Sequence, residues 1–160
     1  MANVYDRQDK IIENRDKLEE LLVRSHVEAK NAWDLGATES QMKDILMGIR
    51  HSQWRWDYAA ASHGGSFYSP IELGRVISTG ITLAQETRIK LARLLASYNF
   101  NQEIPYPDIA TKAKAQEFIG LDMDKLNSEK QEFIKTVVPE WMKEAEEREK
   151  TYDITAKNKE

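Results

Sequence analysis

The residues best suited to chemistry stand together between His51 and Pro70. Trp54, Trp56 and Tyr58 fall within five positions, Ala59-Ala60-Ala61-Ser62 follow, and His63 precedes Gly64-Gly65. Neutral imidazole is a common ligand of haem iron. At a helix end beside two glycines it can project without crowding a flat macrocycle, provided a partner on its other nitrogen fixes the tautomer. The plainer account of the same residues is an aromatic core helix, with His63 stabilised by the C-terminal end of the helix dipole. His26 and His51 lie inside predicted helices, where a histidine is usually packed or partly exposed.

Other chemistries find little support. The 160 residues contain no cysteine. That excludes disulfides, zinc–thiolate sites, iron–sulfur clusters and thiol nucleophiles within the chain. It also leads to the expectation that no haem c is covalently attachable to this chain, since no CxxCH occurs. There is no HExxH, no Glu-x-x-His pair, no nucleophile elbow and no glycine-rich phosphate loop. A metal-dependent hydrolase in a helical bundle needs such pairs on facing helices. A net charge of −4 over both signs argues against a nucleic-acid partner. No apolar run approaches the roughly 20 residues of a membrane span. Met1-Ala2-Asn3-Val4-Tyr5-Asp6 lacks the basic and apolar regions of a signal peptide, so any export signal is expected outside these residues.

The elements that must position His63 read as all-α. Val4, Ile11, Leu18, Leu22, Ala29 and Trp33 form a thin stripe on a helix from about Val4 to Leu35. So narrow a stripe must lie against another helix. Gly36 ends it, and Thr38 with Gln41 forms a capping box opening a second helix to about Ser62, which Gly64-Gly65 terminates. Ser69-Pro70-Ile71-Glu72 reads as a cap, a first-turn proline and a second capping box. The helix it opens ends near Tyr98-Asn99, and its Gly74 and Gly80 suggest close helix packing. Ile104-Pro105-Tyr106-Pro107-Asp108 is expected to be extended. A short helix from Thr111 to Ile119, stopped by Gly120, precedes a last helix from Asp122 that Pro139 kinks or restarts. The predicted architecture is long antiparallel helices with a narrow apolar seam and one extended Pro-containing loop, forming a single helical domain over residues 1–160.

The motifs also carry a resemblance. Gln53-Trp54-Arg55-Trp56-Asp57, Ala61-Ser62-His63-Gly64 and Pro70 are similar to the C-terminal region of the ammonia-forming cytochrome c nitrite reductases. So are Ala84-Gln85-Glu86-Thr87-Arg88-Ile89-Lys90-Leu91-Ala92-Arg93, Pro107-Asp108-Ile109, Thr111-Lys112 and Lys114-Ala115-Gln116. The similarity closes with Glu129-Lys130-Gln131, Phe133-Ile134-Lys135-Thr136-Val137-Val138-Pro139 and Trp141. The resemblance implies a periplasmic multihaem enzyme that reduces nitrite to ammonium. It implies that His63 is the distal axial ligand of one electron-transfer haem iron. Haem c, calcium and the catalytic residues are then expected in an upstream haem domain of the same polypeptide, with no catalytic residue in this chain. Tyr68 departs from the pattern, because many relatives have histidine there.

The family's long helices also imply a homodimer. On this reading the segment is scaffold, dimer interface and donor of one haem ligand, inactive alone. The alternative is a stand-alone, haem-free helical interaction module. The missing signal peptide and a start at Met1-Ala2 within a helix favour a piece of a longer protein. The surface around Trp54, Trp56 and His63 is then expected to be partly exposed.

Overall fold

A computed structural model describes residues 2–156, and every regular element in them is a helix. The chain forms two compact units, residues 1–106 and 107–160.

The first unit is built on three long helices: α1 (Ala2–Asp34), α2 (Glu39–Ala61) and, after a single turn α3 (Gly65–Tyr68), α4 (Pro70–Ser97). α1 and α2 form a hairpin through Gly36, whose φ of +91° suits a residue without a side chain. The expected capping box is present. Gln41 N–H donates to Thr38 Oγ1 at 3.3 Å, and Thr38 N–H donates to Gln41 Oε1 at 2.9 Å. The Tyr98 hydroxyl, beyond the end of α4, lies 3.0 Å from Gln41 Oε1 and 3.2 Å from the Gly36 carbonyl, tying this turn to α4.

The register follows from close contacts. Gly48 of α2 faces Thr87, and Arg55 faces Gly80, so α2 and α4 are antiparallel. Ile11 approaches Gly74, Leu18 approaches Gly80, and Glu28 pairs with Arg88, so α1 and α4 run parallel. The bundle is therefore up-down-up.

Leu18, Leu22, Ser25, Ala29 and Ala32 make the buried seam of α1. Trp33, read into that seam from its apolar character, is 39% exposed, and Ala32 takes the inward position. The core has two apolar clusters. One centres on Ala32, Met42, Ile45, Ile49 and Leu91, the other on Leu18, Leu22, Leu73, Ile77 and Ala84. The buried hydroxyls belong to Ser25, Ser52 and Thr87, one from each long helix. Each donates to the carbonyl four residues back, at 2.8, 2.9 and 2.7 Å, so none is buried without a partner. Gly48 belongs to the same waist: a Cβ there would stand 2.1 Å from Thr87 Oγ1. A Cβ on Gly80 would stand 2.7 Å from Leu18, which bears out close packing at that glycine.

The join between α2 and α4 departs from expectation. Gly64-Gly65 does not simply stop a helix; Gly64, with φ +81°, starts the extra turn α3. Ser69 makes no side-chain cap bond, and its N–H, the donor a capping box would offer to Glu72, already donates to the Gly65 carbonyl. Glu72 pairs with Arg75 instead of closing a capping box. Pro70 does occupy the first turn of α4. Past α4 the chain is irregular to Tyr106, whose ring lies 4.8 Å below the Arg24 guanidinium of α1. Burial, then Glu20 and Glu19, raise this phenol's pKa, with Arg24 opposing.

The second unit contains α5 (Lys112–Phe118), α6 (Met123–Thr136) and α7 (Val138–Ala156). Thr111 and Asp122 cap α5 and α6 through their side chains, and Gly120 takes φ +71° between them. Pro139 sits in the first turn of α7, where it restarts the helix. Phe133 and Trp141 meet edge to face across this restart, with ring centroids 5.3 Å apart.

Two outcomes test this reading. Gly48→Ala should destabilise the chain by about 1–3 kcal/mol through overpacking on Thr87, and Thr87→Ala should recover part of that loss in a urea double-mutant cycle. Thr38→Ala should cost about 1 kcal/mol, whereas Ser69→Ala should stay within about 0.5 kcal/mol. Equal losses at the two caps would contradict the geometry.

Candidate functional site

The α2–α3–α4 corner carries His63, the histidine singled out from the sequence. α2 runs unbroken to Ala61 and then opens, and the His63 N–H donates back to the Ala61 carbonyl at 2.9 Å. Ser62 Oγ donates to the Tyr58 carbonyl at 2.5 Å, closing the last turn beneath the histidine. His63 is exposed. Neither nitrogen of its ring has a hydrogen-bond partner among the described residues.

Several large apolar side chains near His63 in the chain are exposed. Tyr58 is 55% exposed, Phe67 54%, Tyr68 84% and Ile71 89%. Phe67 and Tyr68 meet edge to face at 4.9 Å. A Cβ on Gly64 would lie 3.3 Å from the Tyr68 ring, so the glycine next to His63 leaves room that a side chain would fill. Gly65 does the same toward Ser62 and Leu73, letting α3 lie close on the start of α4. The structure thus leaves the His63 imidazole accessible on a glycine-flanked turn.

The two tryptophans divide. Trp54 is 62% exposed, while Trp56 packs against the Leu18–Ile77 cluster, with its indole N–H buried and without a partner. His51 lies half-buried, its ring 5.8 Å from that of Trp54. His26 is exposed on α1 and lines a groove of about 980 Å³ between α1 and α2, together with Trp33, Leu46, Met47, Arg50 and Trp54. The three histidines thus stand at separate places, and the structure does not gather them into one centre. Among the described residues no group of three or more acidic or histidine side chains converges, and no helix is long and apolar enough to cross a membrane.

Sequence reasoning missed a second groove, of about 430 Å³, between α2 and α4. It is lined by Trp54, Arg55, Tyr58, Glu72, Arg75, Val76 and Thr79. Its signal lay in the offset of Arg55 from Trp54 and Tyr58, which puts the guanidinium and the rings on neighbouring faces of α2.

Comparison with known proteins gives this geometry a context. The family model described as Cytochrome c552 matches residues 1–153. Cytochrome c-552 of Bacteroides thetaiotaomicron is 52% identical over 143 residues, which are 89% of this chain and 29% of that protein. The Porphyromonas gingivalis cytochrome c-552 is 53% identical over 143 residues, with the same coverage. That of Parabacteroides distasonis is 51% identical over 145 residues, 91% of this chain and 29% of its own length. The chain thus spans under a third of the length of these relatives.

Two expectations are corrected by these matches. The chain is not assigned to the C-terminal region of a nitrite reductase; the match is to cytochrome c552, from residue 1 to residue 153. The motifs around His63 point to a haem-binding family, and on their own they do not select that more specific assignment. The expectation that haem c is unattachable to this chain is overturned as well, because a cytochrome c match of this extent implies haem c binding. The absence of cysteine bears on thioether bonds to these 160 residues, and it leaves coordination and haem packing open to them. On a match over residues 1–153, the chain belongs to the cytochrome c552 family.

Proposed function

We propose that this chain is a haem-facing helical scaffold in a periplasmic electron-transfer cytochrome that reduces nitrite to ammonium, and that His63 supplies the distal axial ligand to one haem iron. The observation that carries the reading is the exposed, unpartnered His63 imidazole on a glycine-flanked turn, in a member of a cytochrome c family. Bound haem supplies one-electron redox chemistry, and the residues here bind and orient it.

The chain's own contribution is rigid placement. The Ser62 and His63 bonds to α2 hold the start of the turn, while Gly64 and Gly65 bring α3 down against α4. The exposed rings of Tyr58, Phe67 and Tyr68 offer apolar surface that a macrocycle would cover, excluding water from the iron's ligand face. A water-poor, preorganised ligand environment is one of the means by which a protein sets a haem potential. Tyr68 belongs to this surface as an aromatic wall.

A homodimer through the long helices is part of the proposal. The α1–α2 groove exposes Trp33, Leu46, Met47 and Trp54, and a partner subunit's helices would bury that apolar surface.

The test is His63→Ala in the full-length protein. One haem should change from six-coordinate low-spin to five-coordinate high-spin in its absorption and electron paramagnetic resonance spectra. Ammonium formation from nitrite with reduced viologen should fall at least about tenfold, a loss of roughly 1.4 kcal/mol or more in transition-state terms. Unchanged haem spectra would remove His63 as a ligand. A wild-type protein that makes no ammonium from nitrite would remove the activity.

A further inference from the structure

The groove between α2 and α4 holds a cation whose charge no carboxylate answers. Arg75 is matched by Glu72 through two hydrogen bonds, at 2.9 and 2.5 Å. Arg55 has no carboxylate partner among the described residues. Its Nη1 donates to the His51 carbonyl at 2.7 Å, and its Nε and Nη2 have no partner there. The stem is held as well, because Arg55 Cβ passes where Gly80 of α4 has no side chain: a Cβ on that glycine would be 3.2 Å away. This is a guanidinium fixed at one end, half-buried, with donors left over. A planar fork of that kind suits bidentate recognition of a carboxylate.

The walls of the groove are aromatic. Trp54 and Tyr58 line it, and both are more than half exposed. Tyr58, which lines the groove, stands one turn before Ser62, whose hydroxyl its carbonyl accepts, and His63 follows in sequence. Arg55 and Ser62 are seven residues apart, about 10 Å along α2. A ligand that is flat and apolar over one part, anionic at its edge and metal-bearing at its centre matches this layout. We propose that Arg55 is a binding residue for the carboxylate edge of the haem that His63 ligates, with the α2–α4 groove receiving the propionates. The inference rests on the axial-ligand reading of His63 and adds to it an anion seat on another helix face.

The experiment uses the 160-residue chain with two probes, hemin and hemin dimethyl ester, each followed by its Soret absorbance. Wild type should bind hemin about tenfold more tightly than the ester, one charge-assisted contact's worth. Arg55→Gln should weaken hemin binding about tenfold and leave the ester unchanged, while Arg55→Lys should keep most of the preference. Circular dichroism and thermal melting confirm that each variant retains the fold. Equal hemin affinity in wild type and Arg55→Gln would overturn the proposal. So would a loss shared equally by hemin and ester, or no binding of hemin by the wild-type chain. His63→Ala separates the two readings: it should remove the imidazole-dependent Soret shift with both probes while the ester discrimination at Arg55 persists. If that shift survives in His63→Ala while Arg55→Gln remains selective, the axial-ligand reading falls and the carboxylate seat stands.

Discussion

Close approach of three helices at their waist is the constraint on which the rest of the first unit depends. Gly48 has no side chain because Thr87 occupies that space, and Gly80 has none because Leu18 and Arg55 meet there. Ser25, Ser52 and Thr87 fill the waist with small hydroxyls that return their hydrogen bonds to their own helices. The polar layer is therefore satisfied without cross-helix bonds, and helix separation is governed by side-chain size. The apolar clusters on either side then have fixed partners. Leu18 and Ile77 close one, and Met42 and Leu91 close the other.

The chemistry at the α2–α3–α4 corner inherits that rigidity. α2 is gripped along its inner face to Ala59 and released only at Ser62. The histidine stands just past the last held residue, close enough to be positioned and far enough to be reached. Arg55 sits on the other side of the same balance, its stem locked into the waist and its donors left in the groove. The helices that make the unit stable thus leave two polar groups, the His63 imidazole and the Arg55 guanidinium, at the edges of its packed region.

Much of this was legible from residue types, and the failures share one physical cause. Thr38-Gln41, Gly36, Pro70, Thr111 and Asp122 announce helix ends through local hydrogen-bonding chemistry, and local chemistry survives into the fold. Ser69 misled because the residues before it formed a turn of their own and already used its backbone. Trp33 misled because hydrophobicity was taken for burial, while the seam demanded a residue as small as Ala32. Ser25 and Gly48 were invisible for the converse reason, since a serine and a glycine at a helix crossing look like defects in an apolar pattern. His63 was legible as a candidate ligand, but its freedom from any partner is a tertiary fact. The Arg55 groove needs α4 in place to exist at all.

The parallel pairing of α1 with α4 also sets an order of events for the growing chain. Glu28 and Arg88 meet across sixty residues, and Tyr98 reaches back to Gly36 across sixty-two. α1 and α2 can form a hairpin as they emerge, but half of the inner surface of each waits for a helix made later. During synthesis at about 5–20 residues per second, that surface stays open for several seconds before Leu91 and Leu95 arrive. Loop closure over such separations also slows folding relative to a bundle of nearest neighbours. A protein with this topology spends its early life as an unsealed hairpin, which is the form a chaperone would meet first.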